Sequence, residues 1–515
     1  MEEQGYLLLV LNTHLPFVRH PEIPHPLEEN WLFEAIVESY LPLIGICEDL
    51  INEGKAFKIT LSLSPPLIAM LTDNLLQSRF LGYLEDRIAL SRREMERLRH
   101  EPKLFALASS YHERFVASRK LFEERWNRSL VSAFNHLLDS GNVEIITSAA
   151  THAYLPLWEL FPRIVQLQIQ LGILEFRNVF NRNPSGFWLP ECGFFPGLDA
   201  VLRNEGIKYF FLDAHGILNG DPSPKFGEYA PIHCPSGVAA FGRDWKSHDL
   251  VWLKDEGYPG DPFYRDFDGD IGAGIPTGIK YFRKAAHGSR EIYDPVSAMS
   301  RCEEHANHFV YSCQQQVEYL RGRMGEKPVV VALFDTEHFG HWWHEGPVWL
   351  NLVLRKFSDN QPSVKSITAR DYLELHPINQ VVNPSMSSWG YQGYSETWLM
   401  GRNHWIYPAL YEMIELIDLM LESNSFSKGL RRDALNQYFR ELLLAQSSDW
   451  AFMMHAQSSE VYAQNRVKDH LENMTKLYHQ ITQNTIDPEW LELLRKKNNI
   501  FANVDILEVY ERTIA

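Results

Sequence analysis

Two acidic residues stand out by their place in the chain. Glu191, within FWLPECGFFPG, and Asp335, within VVVALFDTEHFGHWWHEGP, each end an apolar run and each sit among aromatic rings. Carboxyl groups facing across a cleft can divide acid and nucleophile roles, as in glycoside cleavage, where a separation of roughly 5–5.5 Å gives retention and roughly 6.5–9.5 Å inversion. Rings around the acid would desolvate it and raise its pKa, keeping it protonated near neutrality. The competing reading of either carboxylate, taken singly, is an ion pair with an arginine or a helix cap.

Other polar groups follow apolar runs in the same way: His14 in HLPFVRHP, His152 in TSAATHAYLP, Asp213 with His215, and Arg243 with Asp244. His338, His341 and His344 are spaced i, i+3, i+6 and would share a face if helical. Gly340 interrupts that helix and no H-E-x-x-H occurs, so no metal site is expected and hydrogen bonding around a polar cleft is the better reading. No phosphate-binding loop, nucleophile elbow or dinucleotide fingerprint is present, and no cofactor is expected. The 14 Trp and 22 Tyr often neighbour Gly, Asp, Glu or His, as a sugar cleft needs, because pyranose rings stack one apolar face and ring it with hydroxyls. The rival explanation is that large proteins bury many rings.

The elements that must position these groups are legible from period. Tyr6–Leu11 is a continuous apolar run ending in Asn12, Thr13 and His14, as expected of a strand buried on both faces. Residues 30–52 repeat at helical spacing, and Phe57–Leu63 alternates at period two, which makes a βαβ unit. Strands are also predicted at Val143–Thr147, Phe187–Pro190, Tyr209–Asp213, Val238–Arg243 and Val329–Phe334, with helices around 155–174, 196–204 and 294–322. Seven strands alternating with helices imply a parallel sheet in a closed or nearly closed barrel, whose active site lies at the C-terminal strand ends. Residues 66–140 read as an inserted helical hairpin, 217–282 as long loops dense in Gly, Pro and Asp, and everything from 375 to 515 as helical.

Composition narrows the class. The chain has 515 residues, 45% hydrophobic and 22% charged, which is globular. A net charge of −17 repels phosphate backbones and anionic lipid, so neither nucleic acid nor membrane is an expected partner. Five cysteines without a C-x-x-C pair fit a reducing compartment. The acidic N-terminus is unlike a secretory signal and no run approaches a membrane span, so a cytoplasmic protein is expected.

The segments NTHLPFVRHP, GNVEIITSAATHAYLPL, GFWLPECGFFPGLD, FDTEHFGHWWHEGP and SSWGYQGYSETWL, in that order, resemble the five signature regions of glycoside hydrolase family 57. The likeness spans nearly the whole chain, including LLLAQSSDWAFMM, and is greatest to the branch holding 1,4-α-glucan branching enzymes and their hydrolytic relatives. It implies a (β/α)7 barrel over residues 1–374, an incomplete TIM-like barrel, with an inserted helical part (66–140), long active-site loops (217–282) and a C-terminal helical domain (375–515) that completes the cleft. By the family's motifs Glu191 is the nucleophile and Asp335 the general acid/base of a retaining mechanism on an α-1,4-glucan, with a monomer expected. His14 and His152 would hydrogen-bond the sugar at the cleavage point. Trp188, Glu337, His341 and Trp342 would flank the carboxylates, Trp31, Trp389 and Trp398 would line the groove, and Arg243 would contact substrate. Branching enzymes of the family carry a tyrosine on a mobile loop between the nucleophile and acid segments; PSPKFGEYAPIHCPSGVAAFGRD, with Tyr229, is the candidate. The acceptor decides the product: water gives an amylase, a 4-hydroxyl a glucanotransferase, a 6-hydroxyl a branch. One departure is YPGDPFYRDFDGDIGAGIP, with Asp268–Gly269 and Ala273–Gly274 where the family has bulkier residues, a smaller wall that would weaken acceptor binding.

Overall fold

The computed structural model describes residues 3–272, 277–284, 290–358, 363–423 and 428–513. Its frame is seven parallel strands: β1 (Gly5–Thr13), β2 (Ile59–Leu63), β3 (Val143–Ser148), β4 (Gly186–Trp188), β5 (Tyr209–Leu212), β6 (Ala239–Gly242) and β7 (Val329–Asp335). They pair in the order β7-β1-β2-β3-β4-β5-β6, each consecutive crossover running through helices as parallel pairing requires. All nine residues of β1 are buried, because side chains alternate between two covered faces. Leu7, Leu9 and Leu11 pack outward against the helices, whereas Tyr6, Leu8 and Val10 point into the barrel. There they meet Trp188, Tyr209, Phe211, Phe241, Val331 and Leu333, large rings that fill the interior rather than leave a pore. The first and last strands of that order, β7 and β6, share no ladder, and β6 is flanked on its outer side by a short antiparallel strand, Ile232–His233, but the sheet curls until the Asp244 amide donates to the Val331 carbonyl at 2.8 Å. The barrel is thus nearly closed.

The register of β1 against β7 sets Asn12 beside Asp335, which brings the polar ends of two strands to one rim. Between β2 and β3 the chain makes a hairpin of two long helices, Asn74–Arg97 and Pro102–Lys120. The Asp73 carboxylate starts the first by accepting from the Leu75 and Leu76 amides at 3.0 and 3.1 Å, and Pro102 opens the second at a position where its missing N–H costs nothing.

Two features differ from the sequence reading. The helix expected over 30–52 is interrupted by a π-helical turn at Ile36–Tyr40. That wider turn presents Glu38, Ser39 and Tyr40 to the loop after β7, and all three bond to it; hydrophobic period does not reveal such a turn. The segment after 375 was expected to lack strand character, yet its backbone runs as an extended strap over the loops, bridging Val381 to His233, Asn383 to Asp221 and Ser387 to Phe194. Isolated bridges satisfy backbone groups one at a time and leave no alternating pattern to read. From Ile406 onward the described chain is helical.

Candidate active site

The C-terminal strand ends, the strap and the helices after Ile406 enclose a cavity of about 1110 Å³. Of the residues singled out from sequence, His14, Trp31, His152, Glu191, Arg243, Asp335, Glu337, His341, Trp342, Trp389 and Trp398 line it.

Glu191 follows β4 in a left-handed conformation, φ 60° and ψ 22°, and His152, after β3, has φ 57°. Non-glycine residues held there cost of order 1–3 kcal/mol each and cluster at working sites. Around Glu191 the strap and the helix that starts at Ser448 supply the holding contacts. The Trp389 amide donates to the Glu191 carbonyl at 3.0 Å, its indole N–H donates to Oε2 at 2.8 Å, and Ser448 Oγ donates to Oε1 at 2.8 Å. Burial raises the Glu191 carboxyl to about 7 against those two donors, with the charges of Asp449 and Asp335 adding to the rise.

Asp335 ends β7 and accepts from Asn12 Nδ2 at 3.0 Å, the one donor to its side chain among the described residues. Burial lifts it to about 6, opposed by Asn12 and the His14 charge. Two residues on, Glu337 is buried and takes hydrogen bonds from the Tyr40 hydroxyl and the His14 amide. Burial, reinforced by Asp335, pushes it well above the usual carboxylate range.

The imidazoles of His14 and His152 stack at 3.6 Å, 11° from parallel. His14 is occupied at both nitrogens, Nδ1 to Ser64 Oγ at 2.8 Å and Nε2 to Asp449 Oδ2 at 3.0 Å. His152 meets Ser448 Oγ through Nδ1 at 3.1 Å, while its buried Nε2 has no partner among the described residues. Burial and the neighbouring His14 hold His152 well below the ordinary histidine range, hence neutral. Asp449 is held down to about 2: burial opposes its charge, but the His14 charge and hydrogen bond and the Ser447 hydroxyl outweigh it. His14, His152 and Asp449 offer one ligand atom each within 4.8 Å of one another, the donor set of a small metal site. The ring stacking and the His14–Asp449 hydrogen bond already account for that closeness. His338, His341 and His344 diverge, His338 to the Val251 carbonyl at 2.7 Å, His341 to Glu38 Oε2 at 2.8 Å and His344 edge-on to Tyr293.

The aromatic walls are uneven. Trp342 is 57% exposed and stacks on Phe267 at 5.0 Å, with Lys280 Nζ 4.2 Å from that ring. Trp31 meets Tyr462 edge-on. Trp398 is only 1% exposed and stacks on Tyr154 at 4.2 Å, so it backs the wall more than it surfaces it. Trp188 lies inside the barrel, edge-on to Trp389 at 5.2 Å, and is not on the cavity. Nor is Tyr229, whose hydroxyl accepts from Gln316 at 3.3 Å; among the described residues, none from 217 to 242 lines the cavity. Arg243 pairs with Asp213 and lies 5.8 Å from the Trp389 ring. Asp268 is on the cavity wall, while Ala273–Gly274 lie outside the described residues. Sequence reasoning missed Asn12 as a ligand of Asp335, Tyr40, Ser448, Asp449, Trp252 and Phe267. The one available signal for the pair 448–449 was a polar Ser-Ser-Asp run set within the apolar LLLAQSSDWAFMM.

A nearly closed parallel barrel whose strand ends bring buried, elevated carboxyls and aromatic rings onto one cavity has the parts that carbohydrate cleavage requires. The chain belongs to glycosyl hydrolase family 57, which it matches over residues 8–384; residues 406–510 match a region described as 1,4-alpha-glucan branching enzyme, C-terminal. It is 31% identical to 1,4-alpha-glucan branching enzyme TK1436 of Thermococcus kodakarensis, covering 97% of this chain and 78% of that one. The structure superposes on the branching enzyme of Pyrococcus horikoshii with TM-score 0.90 at 32% identity, covering 98% and 96%. It superposes equally on the α-amylase AmyC of Thermotoga maritima, TM-score 0.90 at 38% identity, covering 98% of both chains. No helix among the described residues is long and apolar enough to cross a membrane.

Proposed function

We propose that this chain is a 1,4-α-glucan branching enzyme that cleaves an α-1,4 bond with retention and transfers the released chain to a 6-hydroxyl. Glu191 attacks the anomeric carbon while Asp335 gives its proton to the departing oxygen, leaving a glucosyl ester on Glu191. Asp335, now a carboxylate, then takes the proton of the incoming 6-hydroxyl as that oxygen displaces Glu191. The observation that carries this reading is the placement of Glu191 and Asp335 on one cavity, each close enough for Asp335's charge to be felt at Glu191. Their donors support this division of roles. Trp389 and Ser448 fix both oxygens of Glu191, as suits a carboxylate aimed at one carbon, whereas Asp335 is bonded through Oδ1 alone and keeps Oδ2 for the moving proton. Positive charge developing on the sugar ring favours ionised Glu191 in the transition state.

The exposed Trp342, the Phe267 ring behind it and Trp31 supply stacking surface for an extended glucan. The same reading includes synthesis of a glycogen-like polymer, a monomeric state and a cytoplasmic setting, the last supported by five unpaired, buried cysteines. Incubation with amylose tests it: new α-1,6 linkages must outnumber new reducing ends.

A second reading, hydrolysis by the same two carboxylates, has specific support. The α-amylase AmyC shares more identity with this chain than the branching enzymes do. The match to the Thermococcus enzyme runs over 540 positions, more than this chain contains, so that relative carries insertions absent here. Tyr229 also stands off the cavity, leaving water less obstructed. Reducing ends that rise without α-1,6 linkages would decide for hydrolysis.

A further inference from the structure

The helix Ser448–Ala456 starts at the catalytic cavity. Ser447, Ser448 and Asp449 project from its first turn toward the ends of β1, β3 and β4, and none of the chemistry proposed above uses the Asp449 carboxylate. Its Oδ2 joins His14 Nε2 at 3.0 Å and Ser447 Oγ at 2.6 Å, and the residue lines the cavity. With Nε2–H donated to Asp449, the His14 ring is fixed in plane and lies flat on His152. That leaves His152 Nε2 as the open imidazole nitrogen. The adjacent Ser448 ties the same turn to Glu191 Oε1 and to His152 Nδ1.

We infer that Asp449 is a positioning residue of the reaction: it anchors His14 against His152 and supplies the fixed negative charge beside which Glu191 attacks and Asp335 gives up and regains its proton. The inference rests on the Glu191–Asp335 reading above. Four groups on other elements face this carboxylate or its field. His14 after β1 and His152 after β3 are drawn to it, whereas Glu191 after β4 and Asp335 at the end of β7 are opposed by it. Arg243, after β6, acts on Asp335 in the opposite sense. A purely structural helix cap would leave the proton balance of the pair alone.

The test is the pH profile of total glucan cleavage, counting reducing ends and new branches together so that hydrolysis and transfer both register. In Asp449→Asn the fixed charge is gone, both carboxyls drop, and the whole profile moves to lower pH by about half a unit or more. Asp449→Glu restores the position of the profile at a reduced rate. Ser448→Ala removes a donor from Glu191 and moves the acid limb the other way, to higher pH. These opposite signs keep the inference testable if one variant fails to accumulate. Infrared titration of the carboxyl stretch, with Glu191→Gln as the blank, reads the same shifts without turnover. A wild-type chain that cleaved no glucan would therefore sink the proposed reaction and still test the role of Asp449. An Asp449→Asn profile superimposable on wild type, or one shifted in the same direction as Ser448→Ala, overturns it.

Discussion

Trp389 holds Glu191 at both ends: its indole N–H donates to the carboxylate at 2.8 Å and its backbone amide donates to the Glu191 carbonyl at 3.0 Å. The strap after residue 375 thus fixes both the strained backbone of Glu191 and the direction of its side chain. Trp389→Phe keeps the ring and the amide but deletes the indole donor. A hydrogen bond to a charged group contributes about 1.5–3 kcal/mol, so kcat should fall roughly 10- to 100-fold. The Trp389 donor lowers the Glu191 pKa, so its loss raises it, and the acid limb of kcat/KM should move to higher pH. An unmoved acid limb would mean that Glu191 is not the ionising group.

In the first half of the reaction, Asp335 is predicted to matter only where a leaving oxygen needs a proton. Asp335→Asn should lower cleavage of amylose by about 10²- to 10⁴-fold. Formation of the maltosyl ester from an α-maltosyl fluoride, whose leaving group departs as an anion, should be largely spared. Equal losses on both substrates would remove Asp335 from the acid role.

Burying Glu191 has a thermal consequence with a definite sign. Its folded pKa is raised from 4.5 to about 7, so between those values the folded chain keeps a proton that the unfolded chain has released. The stability that this group contributes is complete below about pH 4.5 and is lost as pH rises to about 7. Glu191→Gln carries no such titration, so it should unfold at a higher temperature than wild type at pH 8, by an equivalent of about 1–3 kcal/mol. At pH 4 the difference should vanish. A variant less stable than wild type at pH 8 would contradict the assigned direction.

The strands were legible because each is a run of apolar residues buried on both faces, and four polar residues that follow such runs reach the cavity, His14, His152, Glu191 and Asp335, whereas Asp213 after β5 does not and pairs with Arg243. Register then does what spacing cannot, setting Asn12 against Asp335 across two strands more than three hundred residues apart in sequence. Ser448 and Asp449 were not legible. In a helical stretch, a Ser-Ser-Asp run reads as an N-cap and first turn, which it also is. The same residues serve the cavity only because tertiary packing aims that helix start at Glu191. Trp188 and Trp389 look alike in sequence, each a ring beside a motif, yet one is inside the barrel and the other on the cleft. Such a difference is decided by which face of the backbone turns inward.

Gly340 is where the loop after β7 passes closest to the π-helical turn. Its φ is +117°, and a Cβ there would lie 1.8 Å from the Glu38 carbonyl oxygen and 2.6 Å from its carbon. Neither can yield, because both belong to backbone and the turn is pinned by Glu38 to His341 at 2.8 Å and by Ser39 to the His341 amide at 3.3 Å. Gly340→Ala must therefore push the loop off the turn and adopt a conformation that L-residues disfavour. The loss should be roughly 3 kcal/mol or more, read by chemical denaturation. Any folded fraction should show a weakened Glu38–His341 contact and a displaced Trp342, hence a higher KM for long glucans with a smaller effect on short ones. Wild-type stability in Gly340→Ala would mean that the loop and the turn are not packed as tightly as these distances require.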